Sequence, residues 1–312
     1  MLGLRATNLG GVPAPVERPG YDRRQVRAGI AHFSVGNFHR AHQAVYLDRV
    51  LALPEQSGWG ICGIGLLDNE PERAKAASFA RQDGLYTLSL FPPSGAPRSM
   101  VVGAIVDYLF APDDPPAVLA RLAEPAIHIV SLTITEGGYN LDEATGEFRL
   151  EAPEIAHDLG SPERPRTAFG FIVGALARRR AAGTAPFTVL SCDNLRHNGA
   201  VVRKGVLAFA HARDPELAAW IEAEVAFPSC MVDRITPATT PADIARLNAL
   251  TGIEDRVPVF AEDFIQWVVE DRFCNGRPAF EQVGVQLTAD VDPYEQIKLR
   301  MLNATHSMLS YP

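Results

Sequence analysis

Cysteine is scarce in this chain and scattered. Cys62, Cys192, Cys230 and Cys274 lie far apart, and no two form a CxxC pair. That spacing offers no zinc ligand set and no disulfide framework, and it fits the reducing conditions of a cytoplasm. Each thiol is expected to be a small buried hydrophobe. Positive charge is also in deficit. Against 37 acidic residues stand 29 lysines and arginines, a net charge of -8, which argues against nucleic acid as the main partner. No segment approaches the roughly 18 uninterrupted apolar residues of a membrane-spanning helix. Residues Met1 to Ala6 lack the apolar core of a secretory signal.

The chain is otherwise of ordinary globular composition, 47% hydrophobic and 21% charged. Its 312 residues suffice for one large α/β domain or two smaller ones. Residues 1–26, rich in Pro, Gly and Arg, read as an irregular arm. Strand-like runs follow at Gly29–Ser34, Trp59–Leu66, Leu85–Phe91, Met100–Ile105, Ala126–Thr135 and Phe187–Ser191. Helical patterns alternate with them at Phe38–Leu53, Pro71–Arg81, Pro115–Ala123, two stretches within Arg166–Ala182, and Val201–Ala212. Such alternation predicts an α/β fold, a mainly parallel sheet covered on both faces.

The first strand–helix junction, HFSVGNFHRAHQ, is where a dinucleotide fold brings backbone N–H groups to a pyrophosphate. The usual GxGxxG is not met: Ser34, Gly36 and His39 occupy its three glycine positions. Ser34, Val35, Gly36, Asn37, Phe38, His39 and Arg40 form the candidate cofactor-binding stretch. His39, Arg40 and His42 would add cationic donors; otherwise HRAH is a solvated helix start. The second strand ends in Leu66-Leu67-Asp68-Asn69-Glu70. A carboxylate there accepts ribose hydroxyls and repels a 2′-phosphate, favouring NAD over NADP. Asp68 and Glu70 both qualify, and Arg73 would soften the preference. The competing role for Asp68 is to cap the helix that begins near Pro71.

The final stretch, YEQIKLRMLNATHSMLSYP, holds Lys298, Asn303 and His306. On a helix turning roughly 100° per residue they fall at about 0°, 140° and 80°. One side of one helix thus offers an ammonium, an amide and an imidazole, equipment for proton transfer at a carbinol oxygen. Asp292–Pro293 is expected to open this helix, with Asp at the N-cap and Pro at N1. Glu295 either completes a capping box with Asp292 or relays a proton from Lys298. The polar loops TEGGY, SCDNLRHNG and MVDRITP each follow a buried strand, and such loops gather at the carboxyl edge of a parallel sheet. Tyr294 and Lys298 also match the YxxxK pair of short-chain dehydrogenases, but the TGxxxGxG of that family is absent.

Together IAHFSVGNFHRAHQA, WGICGIGL, IVSLTITEGGY, SCDNLRHNGAVVRK, FPSCMVDRITP, EDFIQWVVED and the Lys298 helix resemble the polyol-specific long-chain dehydrogenases, over Gly29 to Tyr311. The resemblance implies a Rossmann-like, doubly wound domain over residues 1–285. Residues 286–312 would then start a truncated helical substrate domain. It implies NAD-dependent, metal-independent oxidation of a hexitol to a ketose, D-mannitol to D-fructose, with D-arabinitol or D-sorbitol as the runner-up substrate. A non-catalytic NAD-binding protein is the rival of another class. The family's catalytic lysine, asparagine and histidine fall on Lys298, Asn303 and His306. Its second oxyanion asparagine falls on Asn194, its substrate-contacting aspartate on Asp233, and its relay glutamate on Glu295. No metal, nucleic acid or membrane partner is implied. The resemblance implies a monomer at full length, while Leu299, Leu302, Met308 and Leu309 would expose an apolar face in a shorter piece. Ser34 departs from the family's usual first glycine.

Overall fold

The computed structural model describes residues 1–299 apart from Glu143. Its centre is a five-stranded parallel sheet. The strands, with two others between them in the chain, are β1 (Ala28–Phe33), β2 (Gly60–Gly65), β3 (Tyr86–Phe91), β4 (Arg98–Val102), β5 (Ile105–Phe110), β6 (Ile129–Leu132) and β7 (Thr188–Ser191). The sheet runs β5-β2-β1-β6-β7, all neighbours parallel. Counting only those five, the order is 3-2-1-4-5, the doubly wound arrangement whose ligand crevice lies at the carboxyl edge where the winding reverses.

Alternate residues of these strands feed two separate cores. Ala31, Phe33, Ile64, Val130 and Val189 face one way. There they meet α4 (Pro115–Ala123), α5 (Ala168–Ala181) and α6 (Asn198–Arg213). Ile30, Ile61, Ile129 and Leu190 face the other way, against α2 (Gln43–Leu51). Burial on both faces explains why the strands read as unbroken apolar runs.

Two three-stranded sheets flank the second core. One pairs β3 with β4 and with β9 (Val259–Glu262). The other sets β8 (Cys230–Asp233) antiparallel to β10 (Gln266–Glu270), which pairs in parallel with β11 (Gln286–Thr288). β8 thereby delivers Val232 and Asp233 to the carboxyl edge, and β11 leads into a helix over residues 292–299. Among the described residues no helix is long and apolar enough to cross a membrane. The four cysteines are free, three of them buried.

Several elements differ from expectation. The helix read as Phe38–Leu53 breaks at His42 into α1 (Asn37–Ala41) and α2. The run Met100–Ile105 splits at Gly103-Ala104, and β5 beyond it is a full member of the main sheet. Asp107 and Tyr108 interrupt its apolar pattern and hid it. α3 (Glu70–Arg81) is capped by Asn69, whose side chain accepts from the Glu72 N–H at 3.0 Å; Asp68 is therefore not the cap. Other helices begin with a cap followed by proline, as at Asp114-Pro115, Asp214-Pro215 and Thr240-Pro241.

Candidate active site

The first group of candidate residues lies on the turn from β1 to α1. Ser34 adopts a left-handed conformation, φ 67°. This is the backbone state for which glycine is ordinarily chosen, so a side chain here costs about 1 kcal/mol or more. Hydrogen bonds hold it: the Ser34 N–H donates to Ile64 O at 2.9 Å, and its carbonyl accepts from Thr133 Oγ1 at 2.9 Å. Gly36 caps α1, and a Cβ built there would meet nothing closer than Ser34 O at 3.9 Å. The backbone is open to an approaching group at that point. A cavity of about 700 Å³ lies in front of it, lined by Ser34, Leu66, Asp68, Ala111, Ile134 and Asn140 among others. Asp68 is in this lining; Glu70, exposed at the first turn of α3, is not.

The cationic side chains of the turn point inward, against expectation. His39 and His42 are buried, at 1% and 0% exposure. Burial pushes the His42 pKa down to about 3 and that of His39 well below the ordinary range, so both rings are neutral. His39 stacks on His32, ring centres 3.4 Å apart, and His32 bonds Ser131 Oγ at 2.8 Å and Thr133 Oγ1 at 3.0 Å. Arg40, also buried, donates to Gly36 O, Val257 O and Asn37 Oδ1. These groups brace α1 rather than offer charge. Val35 is core, and Phe38 stacks on His42 at 4.9 Å. Asn37 ties α1 to Pro237 O and Thr239 Oγ1, at 3.2 and 3.1 Å.

The second group of residues stands on the loop after β7, the end of β8 and the helix over residues 292–299. Lys298 Nζ donates to Asn194 Oδ1 at 3.0 Å and to Val232 O at 2.6 Å, and lies 3.5 Å from Asp233 Oδ1. Three distant segments therefore meet at one amine. Asn194 itself is exposed, and its amide nitrogen has no hydrogen-bond partner among the described residues. The capping box read between Asp292 and Glu295 does not form. The helix starts one residue earlier, with the Glu295 N–H donating to Val291 O. Both carboxylates turn instead to the loop after β7. Asp292 Oδ1 is 3.0 Å from His197 Nδ1, and Glu295 Oε1 accepts from the His197 N–H at 3.2 Å. Glu295 Oε2 is buried without a partner among the described residues, and burial raises the pKa of this carboxyl group. Ligand atoms of His197, Asp292 and Glu295 lie within 4.8 Å of one another. Asn303 and His306 lie outside the described residues.

What fixes these loops is a set of residues not singled out from the sequence. Buried Asp193 accepts from the N–H groups of Ile134 and Thr135, at 2.9 and 3.0 Å, and from Tyr139 Oη at 2.7 Å. Ile134 lines the cavity and Asn194 touches Lys298, so Asp193 joins the two halves of the site. Asn198, fully buried, donates to Asp193 O and Cys230 O and accepts from the Cys230 N–H. It locks the loop after β7 onto β8. The signal was available in the polar density of SCDNLRHNG, where a short apolar strand runs directly into Asp and Asn.

Comparison with known proteins places this arrangement. A family model described as the mannitol dehydrogenase Rossmann domain matches residues 28–282. The Polyol:NADP oxidoreductase of Gluconobacter oxydans (strain 621H) is 54% identical over 305 residues, 97% of this chain and 62% of that protein. A crystal structure of D-sorbitol dehydrogenase in substrate-free form superposes with a TM-score of 0.96 at 51% identity, over 99% of this chain and 63% of that one. The Pseudomonas fluorescens mannitol 2-dehydrogenase, solved as a ternary complex with NAD and D-mannitol, gives a TM-score of 0.92 at 50% identity, over 95% of this chain and 60% of that one. The chain thus spans about three fifths of the length of each of these relatives.

Proposed function

The chain belongs to the mannitol dehydrogenase family, and from that premise we propose that it carries the nucleotide site and the catalytic lysine of an NAD-dependent polyol dehydrogenase. The reaction proposed is oxidation of a hexitol to a ketose, D-mannitol to D-fructose, without a metal. One observation carries the reading. Lys298 on the final helix, Asn194 on the loop after β7 and Asp233 at the end of β8 converge on one point, and Asp193 ties the Asn194 loop to Ile134 in the lining of the Ser34–Asp68 cavity. The D-sorbitol dehydrogenase likeness supports another hexitol as the second substrate reading.

The residues present fit a dinucleotide. The open backbone at Gly36 and the start of α1 suit the pyrophosphate, and the Asp68 carboxylate suits the adenosine ribose hydroxyls. A nicotinamide bound there would supply the hydride acceptor for the carbinol carbon. The rest falls to the chain itself. Lys298 Nζ takes the proton of the reacting hydroxyl as general base. Asn194 donates its amide N–H to the developing alkoxide, a role shared with Asn303. Asp233 holds a further substrate hydroxyl, His306 orients the substrate, and Glu295 passes the lysine's proton toward His197 and solvent.

Coenzyme choice tests the nucleotide half. Asp68→Asn should narrow the NAD/NADP ratio of kcat/KM by about 1.5–3 kcal/mol, the worth of a hydrogen bond to a charged group. Glu70→Gln, outside the cavity, should leave it nearly unchanged. A ratio that responds to Glu70 and not to Asp68 would reverse the assignment.

A further inference from the structure

We infer that Asp113 is a specificity-determining residue for the coenzyme, acting through Arg73 to keep the 2′ position of the adenosine ribose closed to phosphate. The inference rests on the reading of Asp68 as the ribose acceptor. Arg73, in the first turn of α3, reaches back so that Nε and Nη2 both lie 2.7 Å from Asp68 Oδ1. Its Nη1 lies 2.7 Å from Asp113 Oδ1. Phe110, the last residue of β5, supports the guanidinium, which sits 5.0 Å from the ring centre. The Asp113 N–H is itself bonded to Phe110 O at 3.1 Å, so the turn after β5 is fixed relative to that ring. Pro112 and Pro115 line the cavity on either side of Asp113, but Asp113 does not.

This corner holds one cation between two carboxylates, a net charge of -1 (+1 from Arg73, -2 from Asp68 and Asp113). A ribose 2′-hydroxyl can donate to Asp68 in that setting. A 2′-phosphate brings about -1.5 to -2 more charge. An arginine near the ribose is the usual receiver of that phosphate. Here the arginine is present but occupied on both sides of its fork. Remove Asp113 and the corner becomes neutral, with one edge of the guanidinium free to donate. Selection against NADP therefore comes from how Arg73 is held rather than from the lack of a cation.

The test is equilibrium binding of NAD and NADP by calorimetry, at about physiological salt so that distant charges are screened. Asp113→Asn should shift the affinity ratio toward NADP by about 2–5-fold, the scale of one exposed charge pair, mainly through tighter NADP. Asp113→Glu should restore the wild-type ratio. In an Arg73→Ala background the Asp113→Asn shift should largely vanish, because its route is gone. If Asp68→Asn moves the ratio and Asp113→Asn does not, the selector is overturned while the ribose reading stands. An Asp113→Asn shift of equal size with and without Arg73 also overturns it. If Asp68→Asn moves nothing, the ribose reading has failed, and the inference with it.

Discussion

Lys298→Ala is expected to lower kcat by about 10²–10⁴-fold, the usual worth of a positioned general base. NADH binding should change little, because Lys298 is not among the residues lining the nucleotide cavity. The reason for so large an effect is positional. The amine is held between the loop after β7 and strand β8 by Asn194 Oδ1 and Val232 O. No other lysine stands there, and the neighbouring groups are an amide, a carbonyl and the Asp233 carboxylate. Small primary amines added to the variant should restore part of the rate, since they can occupy the vacated space. A near-wild-type kcat would remove Lys298 as the base.

The second large effect concerns pH and the fold. His42 is fully buried, its Nε2 2.7 Å from Gln266 O, and its pKa is pushed down to about 3. A histidine depressed in this way stabilises the fold above its unfolded pKa, about 6.5, and that contribution is lost as pH falls toward 3. Below pH ~6.5 the loss should amount to about 1.4 kcal/mol per unit, on the order of 5 kcal/mol across the whole window. Carboxyl groups raised by burial, such as Asp193 and Asp255, oppose this slope. The comparison that isolates His42 is therefore with His42→Gln, which keeps a donor for Gln266 O and retains every carboxylate. Urea unfolding between pH 7 and pH 5 should show wild type losing ground to the variant with each step down. Parallel stability curves would show that His42 charges freely in the folded state.

That histidine also marks where the sequence misleads. HRAH at the start of a helix suggests charge for an anionic ligand, yet all of it is spent inside. The strand before it is buried on both faces, so the helix that follows must pack closely, and its first turn falls in the interior. Periodicity cannot show which way a first turn faces. Ser34 was readable as the first glycine position but not as a residue with positive φ, which only the turn geometry and the Thr133 bond reveal. The apolar cores of β1, β2, β6 and β7 were legible because fully buried parallel strands have no polar face to blur them. β5 was not, because Asp107 pairs with Arg121 at 2.6 Å on the rim of the sheet and breaks the apolar run. The Lys298–Asn194–Asp233 convergence spans 104 positions from Asn194 to Lys298. No local pattern encodes such a contact; the resemblance to a family implied it, and the bonds between Asn198 and Cys230, which fasten the loop after β7 to β8, account for it physically.

One measurement bears most directly on the proposed function: NADH formation across a panel of polyols, with and without EDTA. Turnover with D-mannitol, D-fructose as the product, and no effect of the chelator are expected, although His197, Asp292 and Glu295 lie close enough together to hold an ion. Absence of NADH with every polyol, or loss of turnover on chelation, would contradict that function.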